Sequence, residues 1–311
     1  MKNYVIITDV TSDMSHEIRE HFGLDGYVHG YVHISDGRDV KTTLDWENIS
    51  RDEYYAALNS KSLEVSTAPA TPDEYYEIFA SYAKEGKDIL YIALSEKISS
   101  TYSVASRAME RVMADYPDVK AYCLDSARMS GSLALVTAYA LMKRAEGLSM
   151  DENVAWLEVN KSRVHQMGPI DDLMVVARRG RISKIKAFFG SLAGVKPMGD
   201  NNEDGYVTVL GKAKGIKKAL RATVDYIKAV ATDIENQYII VTHTDREAYA
   251  KELVAMLEAE TAVKKVFMTE VFSASATNIG PGMVCAYFMG EPVSADNEVE
   301  RQTMTRILEA K

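Results

Sequence analysis

Three observations predict an α/β fold of two domains for this chain. Short apolar runs alternate with amphipathic stretches over the first 150 residues, the pattern of strands and helices in a mostly parallel sheet covered on both faces. The helical stretches open on Ser, Thr or Asp and stop at Gly, as at Thr71 and Gly86. After about Asn160 the texture changes and a second strand–helix series begins, so 311 residues accommodate two medium domains. The boundary is expected near 160–170, giving domains over 1–165 and 166–290 and a helical tail over 291–311.

Tyr4–Thr8 reads as the first strand, and a helix is expected from about Asp13 to the stop at Gly23. Tyr27–Ile34 alternates weakly and reads as extended. Thr71-Pro72-Asp73-Glu74 is a strong helix start, with Thr as N-cap, Pro at the first position and Glu three residues after the cap. Asp88–Leu94 follows as a buried strand, Ser99–Asp115 as a helix, Val119–Leu124 as a strand and Met129–Glu146 as a helix. In the second half Asp171–Ala177 reads as a strand, Lys196-Pro197 as a break and Asn201–Gly205 as a turn. A Tyr206–Leu210 strand, a helix from about Lys214 to Glu235, a Tyr238–Thr242 strand, a helix over Arg246–Glu260 and a Lys265–Phe272 strand complete the series.

Parallel sheets place ligands at the carboxyl ends of their strands. Those ends carry Thr8-Asp9-Val10-Thr11-Ser12, Ser66-Thr67, Ser95 with Ser99-Ser100-Thr101, and Asp125-Ser126. Each hydroxyl taken alone is as well explained as a helix cap. Four such clusters on neighbouring strands would line one polar rim suited to an anion.

Composition narrows the function. With 47% hydrophobic and 26% charged residues the chain is of ordinary globular type. A net charge of −9 argues against nucleic acid or an anionic membrane as partner. The start MKNYVIITDV is too short for a signal peptide or a membrane span. Cys123 and Cys285 form neither a disulfide framework nor a zinc spacing, so a reducing, cytoplasmic setting is expected. Two basic runs stand out against the acidic background, one over Arg178–Lys186 and one over Lys212–Arg221.

No phosphate loop, nucleophile elbow or helical histidine pair appears, and His29 and His33 fall on a strand segment. Binding without catalysis is the leading expectation, with no metal and no cofactor. An enzyme acting on a small phosphorylated or hydroxylated metabolite is the alternative, with Asp9 or Asp125 as the general base.

Eight motifs in order resemble the DegV family: ITDVTSD (7–13), VSTAPATP (65–72), LSEKISSTYSVA (94–105), Asp125-Ser126, LMVVARRGRIS (173–183), VKPM (195–198), Lys212–Gly215 and Gly280-Pro281-Gly282. They span nearly the whole chain. The resemblance implies a DegV-like fold with a long-chain fatty acid in a buried tunnel between the two domains. A separate ATP-dependent fatty-acid kinase would act on the presented carboxylate. The implied carboxylate ligands are Ser66, Thr67, Ser99, Ser100, Thr101, Ser126 and Asn278, the last replacing the family's histidine before the Gly-Pro-Gly segment. Phe188, Phe189 and Phe272 would wall the tunnel. Arg181, in the family's basic turn, and Lys214, in place of an arginine, would face the kinase or the acyl phosphate. The chain also departs from the family pattern at Val10, Ser100 and Arg179, where the family has serine, glycine and glycine.

Overall fold

The computed structural model describes residues 4–182 and 194–310. The chain divides into two compact units, Met1–Lys161 with Phe272–Thr277, and Ser162–Val271 with Asn278–Lys311.

The first unit runs β1 (Tyr4–Asp9), α1 (His16–Phe22), β2 (Gly26–Val28), β3 (Gly30–Ile34), β4 (Arg38–Lys41), α2 (Arg51–Leu58), β5 (Val65–Pro69), α3 (Pro72–Lys84), β6 (Asp88–Ala93), α4 (Thr101–Asp115), β7 (Ala121–Asp125), α5 (Gly131–Ala145) and α6 (Met150–Asn160). Its main sheet has the order β2-β1-β6-β7 and is parallel throughout. Every residue of β1 and β6 is buried, which explains why these strands read as continuous apolar runs rather than alternating ones. Val5, Ile7, Ile89 and Tyr91 pack on one face against Phe79 of α3 and Met109 and Val112 of α4. Helix α5, buried along most of its length, packs on β1 and β6. A separate antiparallel sheet, β4-β3-β5, completes the unit.

Capping fixes the helix starts. The Thr71 hydroxyl accepts from the Glu74 amide (3.3 Å), while the Glu74 carboxylate accepts from the Thr71 amide (2.8 Å). Ser50 with Glu53 and Ser149 with Glu152 form the same reciprocal box at α2 and α6.

The second unit runs β8 (Val164–Met167), α7 (Leu173–Arg178), β9 (Val195–Asn201), β10 (Val207–Lys214), α8 (Ile216–Val230), β11 (Tyr238–His243), α9 (Glu247–Glu260), β12 (Lys265–Glu270), α10 (Ser273–Ile279), β13 (Val284–Met289) and α11 (Glu298–Glu309). Helix α10 belongs to the first unit as far as Thr277. The sheet order is β12-β11-β13-β8, parallel between β11 and β12 and antiparallel elsewhere. Leu220, Val224 and Ile227 of α8 and Leu253 and Leu257 of α9 join Ile239, Val241 and Phe288 in its core. Strands β9 and β10 form a two-stranded ribbon with a register shift between Val209 and Gly211. Among the described residues no helix is long and apolar enough to cross a membrane.

Several sequence expectations are corrected here. Asp171–Ala177 is not a strand: Asp172 caps the Met174 amide (2.8 Å) and α7 follows. The run Leu-Met-Val-Val carries apolar, β-branched residues typical of strands, and the cap decides otherwise. Lys196-Pro197 is not a break but lies within β9. Pro197 stands opposite Lys212 in a ribbon with only two strands, where a missing amide hydrogen can face away from the ladder. The helix expected from Lys214 to Glu235 is shorter, because β10 extends to Lys214 and α8 ends at Val230. Asp13 does not open α1. It closes a 3-10 turn over Val10–Ser12 in a left-handed conformation (φ 54°), and Ser15 stands at the N-cap.

Candidate functional site

The carboxyl ends of β1, β6 and β7 meet in the first unit through a web of short hydrogen bonds. Asp9 closes β1 and is almost fully buried. Its carboxylate accepts from the Thr11 amide (2.8 Å), the Leu94 amide (3.0 Å) and the Tyr91 hydroxyl (3.3 Å), so it ties the end of β1 to the end of β6. Burial raises its pKa, and the hydrogen bonds from Thr11 and Leu94 oppose that rise.

Beyond β6, the Ser95 amide donates to the Arg128 carbonyl (3.0 Å). Ser99 and Thr101 share a hydroxyl–hydroxyl bond (2.9 Å), and Ser99 Oγ also accepts from the Thr101 amide (3.2 Å). Ser99 is half-buried, Ser100 exposed and Thr101 buried. Beyond β7, Asp125 accepts from the Ala127 amide (2.9 Å) and the Glu96 amide (3.2 Å), joining the β6 and β7 loops. Ser126 is fully buried, and its hydroxyl is spent within its own loop, accepting from the Arg128 amide (3.1 Å) and donating to the Arg128 carbonyl (3.2 Å). This loop holds two non-glycine residues at positive φ, Ala127 and Ser130, both at 51°. Such backbone costs energy and is held in place by its surroundings.

Asp13 lies at the same end and is fully buried. Its Oδ1 accepts from the Phe272 amide (2.9 Å), which fastens the start of α10 to the end of β1. Burial pushes the Asp13 carboxyl up to about 8, against the pull of Ser130, the Phe272 amide and Ser275. The Ser12 hydroxyl, also fully buried, has no partner among the described residues.

Sequence reasoning missed four residues here. Asp13 carries the local signal of a helix start, and Ser130 and Ser275 carry no distinguishing signal. Arg128, 1% exposed with its guanidinium donating to the Ala127 carbonyl (2.8 Å), carried no periodic signal at all. A charged residue at a loop position normally reads as solvated.

The remaining predicted residues are placed elsewhere. Ser66 and Thr67 do not end a strand of the parallel sheet. They sit within β5 of the antiparallel sheet, opposite His33 and Val32, with Ser66 exposed and Thr67 half-buried. Three of the four hydroxyl clusters therefore share the sheet end. Phe272, 5% exposed, packs on Trp46 (ring centroids 5.7 Å apart), which in turn meets Tyr54 (5.4 Å). The Tyr54 hydroxyl bonds with Thr277 Oγ1 (2.9 Å) and donates to the Ser273 carbonyl (3.2 Å). Phe188 and Phe189 lie outside the described residues.

In the second unit Asn278 is half-buried at the end of α10, before the Gly280-Pro281-Gly282 turn. That turn is shaped by close packing. A Cβ on Gly282, whose φ is 102°, would fall 2.5 Å from the Asp171 side chain. Asp171 in turn accepts from Lys196 and from Arg246 (2.7 Å to Nη2), and these cations, outweighing burial, hold its carboxyl below the usual range. The Lys-Pro and Gly-Pro-Gly motifs are thus neighbours through Asp171. Arg181 is half-buried, its guanidinium donating to the Arg179 carbonyl, and burial together with Arg179 lowers its pKa. Lys214 is exposed at the end of β10.

Chemically, the hydroxyls of the half-buried Ser99 and the exposed Ser100 are the donors this cluster can turn to an acceptor-rich anion, the amides of Thr11, Leu94, Glu96, Ala127 and Phe272 being engaged within the protein. Asp9 and Asp125 are engaged by two or more donors each, Asp9 by the hydroxyls of Thr11 and Tyr91 as well as by two amides. Among the described residues no group of three His, Cys, Asp or Glu side chains could hold a metal ion. An apolar surface groove of about 540 Å³, lined by Met113, Tyr122 and Val154, lies at the other, amino-terminal end of β7 and is no part of this cluster.

The profile "Uncharacterised protein, DegV family" matches residues 3–291. A DegV domain-containing protein of Clostridium perfringens is 28% identical over 291 residues, covering 94% of this chain and 99% of its own. A fatty-acid-binding DegV family protein from Thermus thermophilus superposes with a TM-score of 0.82 at 23% identity, over 93% of this chain and 100% of its own. The Fatty Acid Kinase (Fak) B3 protein of Streptococcus pneumoniae, solved loaded with linoleic acid, does so at 0.77 and 18% identity, with the same coverage. The chain belongs to the DegV family.

Proposed function

We propose that this protein is a non-catalytic carrier of a long-chain fatty acid, whose carboxylate is received by the hydroxyls at the strand ends of the first unit. The observation that carries the proposal is the Ser99–Thr101 pair (2.9 Å) in the segment that follows β6, a segment whose start is tied to Asp9 at the end of β1 and to Asp125 at the end of β7. Ser99, only half-buried, is the hydroxyl best placed to turn towards a ligand. Relatives of the same fold, from Thermus thermophilus and Streptococcus pneumoniae, bind fatty acids. An acyl chain suits the energetics, since each buried methylene contributes roughly 0.8 kcal/mol, or on the order of 10 kcal/mol for some sixteen carbons. The carboxylate needs charge-assisted hydrogen bonds to offset its desolvation.

In this reading Ser99, Ser100, Thr101 and Asn278 are the carboxylate ligands to test, with Ser66 and Thr67 as contributors from β5; Ser126, whose hydroxyl is spent on Arg128, would have to release that bond to join them. Asn278 donates a hydrogen bond without the charge a histidine could carry. Arg181 and Lys214 face a separate ATP-dependent fatty-acid kinase or the acyl phosphate; the name of the Streptococcus pneumoniae relative supports the existence of such a partner.

Ser99→Ala and Thr101→Ala test the proposal through titration with a fluorescent fatty acid. Each removes a hydrogen bond to a charged group, worth about 1.5–3 kcal/mol, so affinity should fall about ten- to a hundredfold. Unchanged affinity in both variants, with wild type binding normally, would remove these hydroxyls from the site.

A further inference from the structure

Three polar atoms in the second unit are fully enclosed and meet no protein group among the described residues: Oδ1 and Nδ2 of Asn201 and Oδ1 of Asn297. The two residues are neighbours, for the Asn297 side chain donates through Nδ2 to the Asn201 backbone carbonyl (2.8 Å). Leaving such groups without partners costs about 1–3 kcal/mol each, so a native structure supplies partners. Reassigning the Asn201 amide changes nothing, because both of its ends are unmet.

We infer that Asn201 and Asn297 enclose an ordered water, which seats helix α11 on the β9–β10 ribbon. The chemistry selects water over an ion. A cation needs oxygens only, yet Asn201 Nδ2 is a donor. Two buried carboxylates close by in the chain, Asp200 and Glu300, are also spent. Asp200 accepts from His165 Nδ1 (2.6 Å), the Tyr226 hydroxyl (3.1 Å) and the amides of Gln166 and Asn201 (both 2.7 Å). Glu300 accepts from the Ser294 amide (3.0 Å) and hydroxyl. These same carboxylates disfavour an anion. A water both donates and accepts, makes about three hydrogen bonds when buried, and so matches the mixed set.

The site matters because of what it holds. The family match stops at residue 291, and α11 lies wholly beyond it. Asn297 is the residue before the helix, in a left-handed conformation (φ 55°), and its side chain makes no cap to the first turn. It is committed to the ribbon instead. Further along, Arg301 donates to the Val209 carbonyl (2.9 Å), and Met304 and Leu308 sit over Gly211 at the register shift. A Cβ there would lie 2.7 Å from Leu308 Cδ1 and 2.8 Å from Met304 Cγ. The water completes the polar end of this seat, and Gly211 the apolar end. The added helix thereby braces β10, the strand that ends at Lys214.

A crystal structure of the full chain, at a resolution that shows ordered solvent, tests the site directly. A water within hydrogen-bond distance of both asparagine amides is expected; amides paired to protein groups with no water between them would overturn it. Hydrogen exchange over α11 tests the role. In Asn297→Ala the helix amides should exchange at least tenfold faster than in wild type, with the core strand β11 unchanged. Equal rates in α11 would show that the water does not seat the helix. Should the variant fail to fold, the wild-type density still decides.

Discussion

Asp13 is buried in the first unit among hydroxyls and a backbone amide, and burial pushes its carboxyl up to about 8. In the unfolded chain an aspartate titrates near 4, so between these values the folded state binds a proton that the unfolded state has released. The contribution of Asp13 to stability is therefore fully present below about pH 4 and is lost as pH rises towards about 8. Asn mimics the protonated acid. Asp13→Asn should narrow the stability difference between pH 5.5 and pH 8.5 by a few kcal/mol, read from denaturant unfolding at both values. An identical difference in variant and wild type would mean that Asp13 is ionised in the fold. Asp9 and Asp125, whose pKa values burial also raises, leave some slope in either protein.

Single elements show which physical signals survive in sequence. The Thr71-Pro72-Asp73-Glu74 start is legible because a cap is a local device, and the structure forms it bond for bond. Thr71→Ala should cost about 1 kcal/mol, seen as a lowered Tm. Glu74 has a second duty that sequence could not reveal. Its Oε1 accepts from His29 (2.9 Å) and Tyr31, and though burial opposes it, these donors with Thr71 lower its pKa to about 2. Strands β1 and β6 are legible because burial on both faces leaves only apolar residues. Helix α7 resembles a strand in sequence because its apolar, β-branched run outweighs one capping aspartate. Strand β9 was hidden by Pro197, which a two-stranded ribbon tolerates. The Gly-Pro-Gly turn was visible as a motif, but its reason is tertiary: Asp171 occupies the space a side chain at Gly282 would need. Gly282→Ala should destabilise the second unit by at least about 2 kcal/mol, through both the clash and the positive φ. A Tm within a degree of wild type would contradict that packing.

At the scale of the molecule, order and spacing of weak motifs carried more than any one of them. Eight short segments pointed to the family, and the profile match over 3–291 establishes it. The candidate site was legible in part. Strand ends in a parallel sheet are predictable from alternation, so the sequence alone places the Asp9, Ser95–Thr101 and Asp125-Ser126 clusters together. Ser66 and Thr67 could not be placed, because nothing local distinguishes a strand of the main sheet from one in the small antiparallel sheet. Asp13 and Arg128 owe their character to burial by distant segments, which local pattern does not encode.

The carrier reading stands on the strand-end hydroxyls receiving a fatty-acid carboxylate, and mass spectrometry of organic extracts from the purified protein tests it most directly, with a mock purification as control. A long-chain fatty acid at near one per chain, or uptake to that level from added fatty acid, is the predicted result. A protein that carries none and takes up none would contradict the account.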